Sequence, residues 1–168
     1  MATVLLLGLG PASSGPCDPE IFRVVRNTNA NAVVYEARLS PGGDLDPGDP
    51  VQATWVMLAE DGRREGLTWL ERAMAYGVDT HAVDPGHGAV VALRARPELE
   101  IRVELVAGCP LARTRIAGSD AVLRTIAVEA SGGPFPQVRW VDLVGVDPAG
   151  HEVRERQYPV EGPPTGPP

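Results

Sequence analysis

A chain of 168 residues with 43% hydrophobic content suffices for one domain with a sizeable core and falls short of two. Its formal net charge is -7 and all 15 basic residues are arginine, interleaved with acids, so no concentrated basic face exists for nucleic acid or an anionic lipid surface. The 19 glycines and 17 prolines fall mostly between apolar runs or at the chain ends, which predicts many short elements joined by turns.

Residues 1–18 read as a weak signal-like or disordered segment. Val4 to Leu9 is apolar and Ala12, Ser13 and Ser14 are small, as at the end of a secretory signal, although no basic residue precedes the run. Export to a periplasmic or extracellular compartment is the expectation, ahead of a frayed strand in a cytoplasmic chain. Pro16 stands where a lipid anchor on Cys17 would want a small residue. No apolar run approaches the roughly 18 residues that would span a bilayer, so an integral membrane protein is not expected. Cys17 and Cys109 are the only cysteines. In an exported protein they would tie the N-terminal arm to the body through a disulfide; otherwise they stand as one buried thiol and one exposed one.

Glu20 to Arg26 and Ala32 to Leu39 read as the strands of a hairpin, with the asparagine cluster Asn27-Thr-Asn-Ala-Asn31 supplying a turn that tolerates left-handed backbone. In the second strand Val33, Tyr35, Ala37 and Leu39 share the inward face. Ser40 to Pro50 reads as a surface loop. Its Asp44, Asp46 and Asp49 do not have the spacing of a calcium loop. Val51 to Leu58 is apolar on both faces and reads as a covered strand, ended by the tight-turn dipeptide Asp61-Gly62.

Thr68 to Glu71 is a capping box, in which hydroxyl and carboxylate satisfy the free amides at a helix start. It predicts a helix from Trp69 to Tyr76, with Trp69, Leu70, Ala73, Met74 and Tyr76 as an apolar stripe and Gly77 as a left-handed stop. A helix of about two turns is unstable alone, so it should lie on the sheet. The later runs 89–94, 99–106, 111–117, 121–130, 137–146 and 152–158 read as strands, clearest where Leu99, Ile101, Val103 and Leu105 alternate with charged neighbours. Ser131 to Pro134 and Asp147 to Gly150 read as turns between strands. Residues 159–168 form a Pro/Gly tail with little to bury, expected to be disordered or extended.

Chemistry is sparse. Asp79, His81, Asp84 and His87 mix ligand types that zinc or another divalent metal accepts, and His81, Asp84 and His87 are the candidate ligands, though their spacing matches no established pattern. No serine or cysteine sits in a nucleophile elbow, Cys109 has no charged neighbour, and no glycine-rich stretch has the setting of a phosphate cradle. The reading leans away from an enzyme and from any cofactor. The aromatics Tyr35, Trp55, Trp69, Tyr76 and Trp140 fall on inward faces or on the helix and either fill the core or line a cavity.

The stretch IFRVVRNTNANAVVYEARL, the W-x-ML-x-EDGRRE segment and LERAMAYG together resemble an uncharacterised family of bacterial proteins known only as a domain of unknown function, with an IFR-x-x-R-x-x-N-x-N opening and an AYG close to the helix. The resemblance is good from Ile21 to about Gly77 and loose beyond. It implies a single small bacterial domain and brings no activity, cofactor or catalytic residue.

Residues 19–158 are thus expected to form one mainly β domain, an antiparallel barrel or curved sandwich of about nine strands with one short helix packed against it. The leading functional expectation is a non-enzymatic binding module of the cell envelope for a small apolar ligand or a partner protein. The second is a structural protein docking through a strand edge or the Pro-rich tail, and the third a metal-assisted hydrolase.

Overall fold

Leu99, Ile101 and Val103 are buried while Glu98, Glu100 and Arg102 between them face water, and this period-two device, repeated along the chain, builds one sheet around one core. The computed structural model describes residues 17–84, 86–132 and 137–159. The signal-like stretch 1–16, Pro85, residues 133–136 within the segment expected to turn, and the tail 160–168 lie outside the described residues. Eleven strands are described: β1 (Glu20–Arg26), β2 (Asn29–Ala37), β3 (Val51–Met57), β4 (Arg63–Gly66), β5 (Val78–Asp84), β6 (Gly88–Leu93), β7 (Arg96–Val106), β8 (Cys109–Ile116), β9 (Ser119–Ala130), β10 (Val138–Val146) and β11 (Glu152–Gln157). One helix, α1 (Trp69–Met74), falls between β4 and β5.

The mainly β class read from the sequence holds, as a sheet curled into a half-barrel. Its order is β4-β3-β2-β1-β9-β8-β7-β6-β5, with β10 on the other side of β9 and β11 beyond β10. The end strands β4 and β5 do not pair with each other, so the ladder does not close. Strand β9 is the spine. Its first residues pair with β8 from Ser119 to Val122, its middle pairs with β1 from Thr125 to Val128, and β10 runs antiparallel along its other edge. Two wings therefore diverge from one strand. The β1–β9 ladder is parallel, a departure from an otherwise antiparallel sheet.

Two of the strands, β4 and β5, exceed the number expected. Every residue of β4 is exposed, and β5 is an edge strand with mostly exposed side chains, so neither carries an apolar alternation to read. Asp61 (φ 54°) and Gly62 (φ 75°) turn β3 into β4 as the dipeptide predicted. Ala107-Gly108 and Ala117-Gly118 adopt the same paired left-handed conformation between β7 and β8 and between β8 and β9, with alanine at a position it rarely takes.

The asparagine cluster works differently from its expected role, because no asparagine there has a positive φ. Asn27 instead continues the β1–β9 ladder where β1 turns away. Its backbone N–H donates to Val128 O (3.2 Å), its Nδ2 donates to Ala130 O (3.0 Å) and its Oδ1 accepts from Ala130 N (2.9 Å). A carboxamide supplies one donor and one acceptor in the geometry of a peptide group, which satisfies two backbone groups that the turn would leave open.

Gly77 likewise is not a left-handed stop, since its φ is not positive. A Cβ at Gly77 would sit 1.9 Å from Arg72 O, so this residue is glycine because the chain leaving the helix crosses directly against the helix backbone. Leu45 is the other surprise of the loop regions. It is buried, and its N–H donates to Gly86 O (2.7 Å), anchoring the aspartate-rich loop to the core.

The core runs through both wings. Phe22, Tyr35, Ile101, Ile116, Leu123 and Leu143 are its largest fully buried members, and Phe22 stacks on Tyr35 with ring centroids 4.4 Å apart. Cys17 and Cys109 form a disulfide across 92 residues of sequence, joining the segment before β1 to the start of β8.

Two stability measurements follow from this frame. Gly77→Ala should lower unfolding free energy by about 3 kcal/mol in urea titration, whereas Gly66→Ala, with open space around its Cβ, should stay within about 0.5 kcal/mol; equal effects would remove the close-approach argument. Reducing the disulfide, or replacing both cysteines by serine, should cost about 2–5 kcal/mol, because the cross-link restrains a long loop of the unfolded chain. An unchanged urea midpoint would show that the bridge contributes nothing.

Candidate functional site

The segment around α1 is a strap between the wings. Thr68 caps the helix: Glu71 N donates to Thr68 Oγ1 (3.3 Å) and Thr68 N donates to Glu71 Oε2 (2.8 Å), so the capping box read from the sequence is present. Trp55 Nε1 on β3 donates to the second carboxylate oxygen of Glu71 (3.1 Å). Desolvation pushes the Glu71 carboxyl up, but the bonds from Thr68 and Trp55 outweigh it and hold the group below the ordinary glutamate value.

The apolar stripe of the helix does not lie on the sheet as expected. No residue of α1 is buried, and Trp69 is 79% exposed, Met74 70% and Leu70 53%. The strap is instead held at its two ends, where Leu67 before the helix and Tyr76 after it enter the core. Three consecutive carbonyls fix the exit. Ala75 O accepts from Ala95 N (3.3 Å), Tyr76 O from the Tyr35 hydroxyl (2.9 Å) and Gly77 O from Arg94 N (2.9 Å). Tyr35 belongs to β2, and Arg94 and Ala95 form the β6–β7 turn, so one short segment ties the two wings together. Burial drives the Tyr35 phenol far above its ordinary pKa, which keeps its proton on the donated bond.

Beneath the strap is a cavity of about 420 Å³. Its floor is apolar and buried: Val24, Tyr35, Leu93, Ile126 and Val141. Tyr76 forms one wall, with Trp55 packed edge-on behind it (5.2 Å between centroids, 74° between planes). The mouth is marked by Val138 and Tyr158, which are 43% and 65% exposed, and by Pro159. A volume of this size with apolar walls and few polar groups has the character of a small-molecule site. A larger depression of about 700 Å³ lies on the outer face of β7 and β8, but its walls are charged and its Arg102 and Asp120 pair with each other (2.5 Å). The smaller, apolar cavity is the better candidate.

Three charged side chains among the described residues reach the cavity: Arg26, Arg96 and Glu98. Arg96 is engaged, pairing with Glu98 and donating to Gln157 Oε1 (2.7 Å). Arg26 is not. Its guanidinium carbon lies 5.2 Å from the centroid of the Tyr76 ring, and among the described residues its buried Nε has no hydrogen-bond partner and the side chain forms no ion pair. Burial raises the Tyr76 phenol above its ordinary value, with the Arg26 charge opposing that shift.

Of the aromatics singled out by pattern, Tyr35 and Tyr76 line the cavity and Trp55 supports its wall. Trp69 does neither, because the helix carrying it stands away from the sheet. Trp140 also lies elsewhere. A register irregularity between Val138 and Trp140 keeps Val138 at the mouth and leaves Trp140 under the Arg156 guanidinium (4.5 Å to the ring), beside the Arg156–Asp142 pair (2.7 and 2.8 Å). Arg26, Ile126, Val138 and Val141 were not marked beforehand. Arg26 had a signal, since it follows Phe22 and Val24 at period two and so continues an inward face.

The suggested metal ligands do not converge. His81 and Asp84 lie three residues apart along β5, a separation of ~10 Å in a strand, and both are exposed. The ring of His87 faces Asp44, with Nε2 3.9 Å from Oδ1. Among the described residues no group of three or more His, Cys, Asp or Glu side chains is placed to hold a metal ion. In the aspartate-rich loop, Asp46 accepts from the amides of Gly48 (2.9 Å) and Asp49 (3.2 Å), which lower its pKa, and Asp49 pairs with Arg38 (2.7 Å).

Tyr35→Phe isolates the strap's central bond, since the ring and its stacking on Phe22 remain while Tyr76 O loses a buried donor. The expected loss is about 1–3 kcal/mol in urea unfolding, and a variant as stable as the parent would show that the bond does not hold the strap.

No helix among the described residues is long and apolar enough to cross a membrane. No curated protein and no solved structure matches the chain. A family model described as Domain of unknown function (DUF4833) matches residues 22–156, from inward-facing Phe22 in β1 to Arg156 in β11; nearly the whole β domain is covered, and the chain belongs to that family.

Proposed function

We propose that the domain is a non-enzymatic binding module for a small apolar ligand, held in the cavity beneath the Ala75–Gly77 strap. The observation that carries this reading is a cavity of about 420 Å³ whose floor is buried and apolar and whose mouth carries exposed Val138 and Tyr158. Removing the apolar surface of a ligand from water supplies roughly 25 cal/mol per Å² before the costs of association. Among the described residues that line the cavity there is no serine, cysteine or histidine, and the one carboxylate, Glu98, is paired with Arg96, so no activated nucleophile is assembled from them.

The disulfide supports an exported location, because such a bond persists in oxidising compartments. A second reading, docking of a partner protein in the envelope, is favoured by the exposed Trp69, Leu70 and Met74 on α1. The two are separable. Val128 lines the cavity and is only half-buried, so Val128→Trp should occupy the space without rebuilding the core. Binding of an apolar fluorescent dye should weaken at least tenfold in that variant with little change in melting temperature, and should be unaffected by Trp69→Ser. Unaltered dye affinity in Val128→Trp would sink the cavity reading.

A further inference from the structure

Resting on the cavity reading, we infer that the ligand is an amphiphile with one carboxylate, whose head pairs with Arg26 and whose apolar body lies over Ile126 and Val141. The chain carries more acids than bases, 22 against 15, so an arginine without a partner is not explained by a shortage of carboxylates. Arg23, Arg38, Arg63, Arg94, Arg102 and Arg113 each form an ion pair. The arginines that form none among the described residues, apart from Arg26, are Arg72, Arg115, Arg124 and Arg139, and all four are exposed, where water solvates them. Arg26 is the exception: half-buried, facing a cavity, with its Nε withdrawn from solvent and unpaired.

A buried donor left open costs free energy, and the face of Tyr76 engages the charge of Arg26 but not its N–H. Nε itself is closed off, but the remaining guanidinium N–H groups of Arg26 also have no partner among the described residues, and an acceptor entering the cavity would meet them. The charge balance selects its type. Among the described residues Arg96 and Glu98 cancel, leaving a single positive charge in mostly apolar surroundings. One guanidinium fork matches one planar carboxylate, whereas a phosphate dianion would keep an uncompensated charge in a low-dielectric site. The volume has room for on the order of a dozen water-sized groups at ~30 Å³ each, which suits a medium-chain acid.

The test is calorimetric titration of the full chain at pH 7.5 with octanoate and with octan-1-ol, two probes of similar apolar body that differ in the head group. Wild type should bind octanoate at least tenfold more tightly than the alcohol. Arg26→Met, which keeps the aliphatic length and removes the charge, should erase that preference while leaving alcohol binding intact; retained alcohol binding also reports that the variant is folded. Arg26→Lys should recover part of the preference through charge without the fork. If wild type binds both probes equally, or Arg26→Met keeps the full preference, the carboxylate assignment is overturned and the apolar site survives. If neither probe binds wild type, both readings fail together.

Discussion

The fold depends on three consecutive carbonyls. The oxygens of Ala75, Tyr76 and Gly77 accept from Ala95, from the hydroxyl of Tyr35 and from Arg94, so that the chain leaving α1 is stitched to β2 on one wing and to the β6–β7 turn on the other. A sheet whose end strands do not meet has no ladder to hold its wings at a fixed separation. The strap supplies that restraint with side-chain and turn donors instead. Gly77 is part of the same device, because any side chain there would displace the segment from Arg72 O and misalign all three acceptors.

A cavity follows from this construction. In a closed small barrel, inward side chains from every strand converge and fill the interior. Here β9 is shared by both wings, with β8 along its first residues and β1 along its middle, and the inner faces diverge from that line. Near the spine Leu123 and Ile116 pack solidly, while farther along β9 the side chains of Ile126 and Val128 meet empty space under Tyr76. Asn27 matters for the same reason, since its carboxamide extends the β1–β9 ladder to Ala130 and keeps Arg26 at the cavity edge.

Much of the fold was legible because period-two burial is written directly in the residues: β7 carries it from Leu99 to Val103, β9 carries it in two stretches that slip phase between Leu123 and Ile126, the capping box marks the start of α1, and Asp61-Gly62 marks its turn. Where reading failed, a different physical demand was operating. The residues of β4 are recruited by a turn and a neighbouring ladder and bury nothing, so they leave no apolar trace. The helix stripe is visible in the residues but its surroundings are not, because helical spacing records which side chains share a face and says nothing of whether that face meets protein or water. Gly77 stands where a conformational glycine is expected and is a steric one. At the site, Tyr35 and Tyr76 were visible as inward aromatics, but the parallel pairing of β1 with β9, which creates the cavity floor, joins segments about a hundred residues apart by a contact that no local pattern encodes.

Arg26 is the one unpaired charge at the cavity among the described residues. An inward arginine at the end of a strand breaks the rule that the rest of β1 obeys, and local rules are broken where another requirement prevails. Its neighbours do not neutralise it: Glu98 is committed to Arg96, and Glu71 to Thr68 and Trp55. With Tyr35 and Tyr76 holding their phenol protons, no free anion among the described residues stands ready in the cavity. The domain thus carries a net acidic surface around a single buried-edge cation, and an anion reaching Arg26 must gain more from the guanidinium and the apolar walls than it loses to the surrounding negative charge. Bare inorganic anions have no apolar surface to contribute, and long-range repulsion disfavours them further. An acid with a substantial apolar body meets both conditions at once, which makes the cavity selective by the combination of its walls and its one charge.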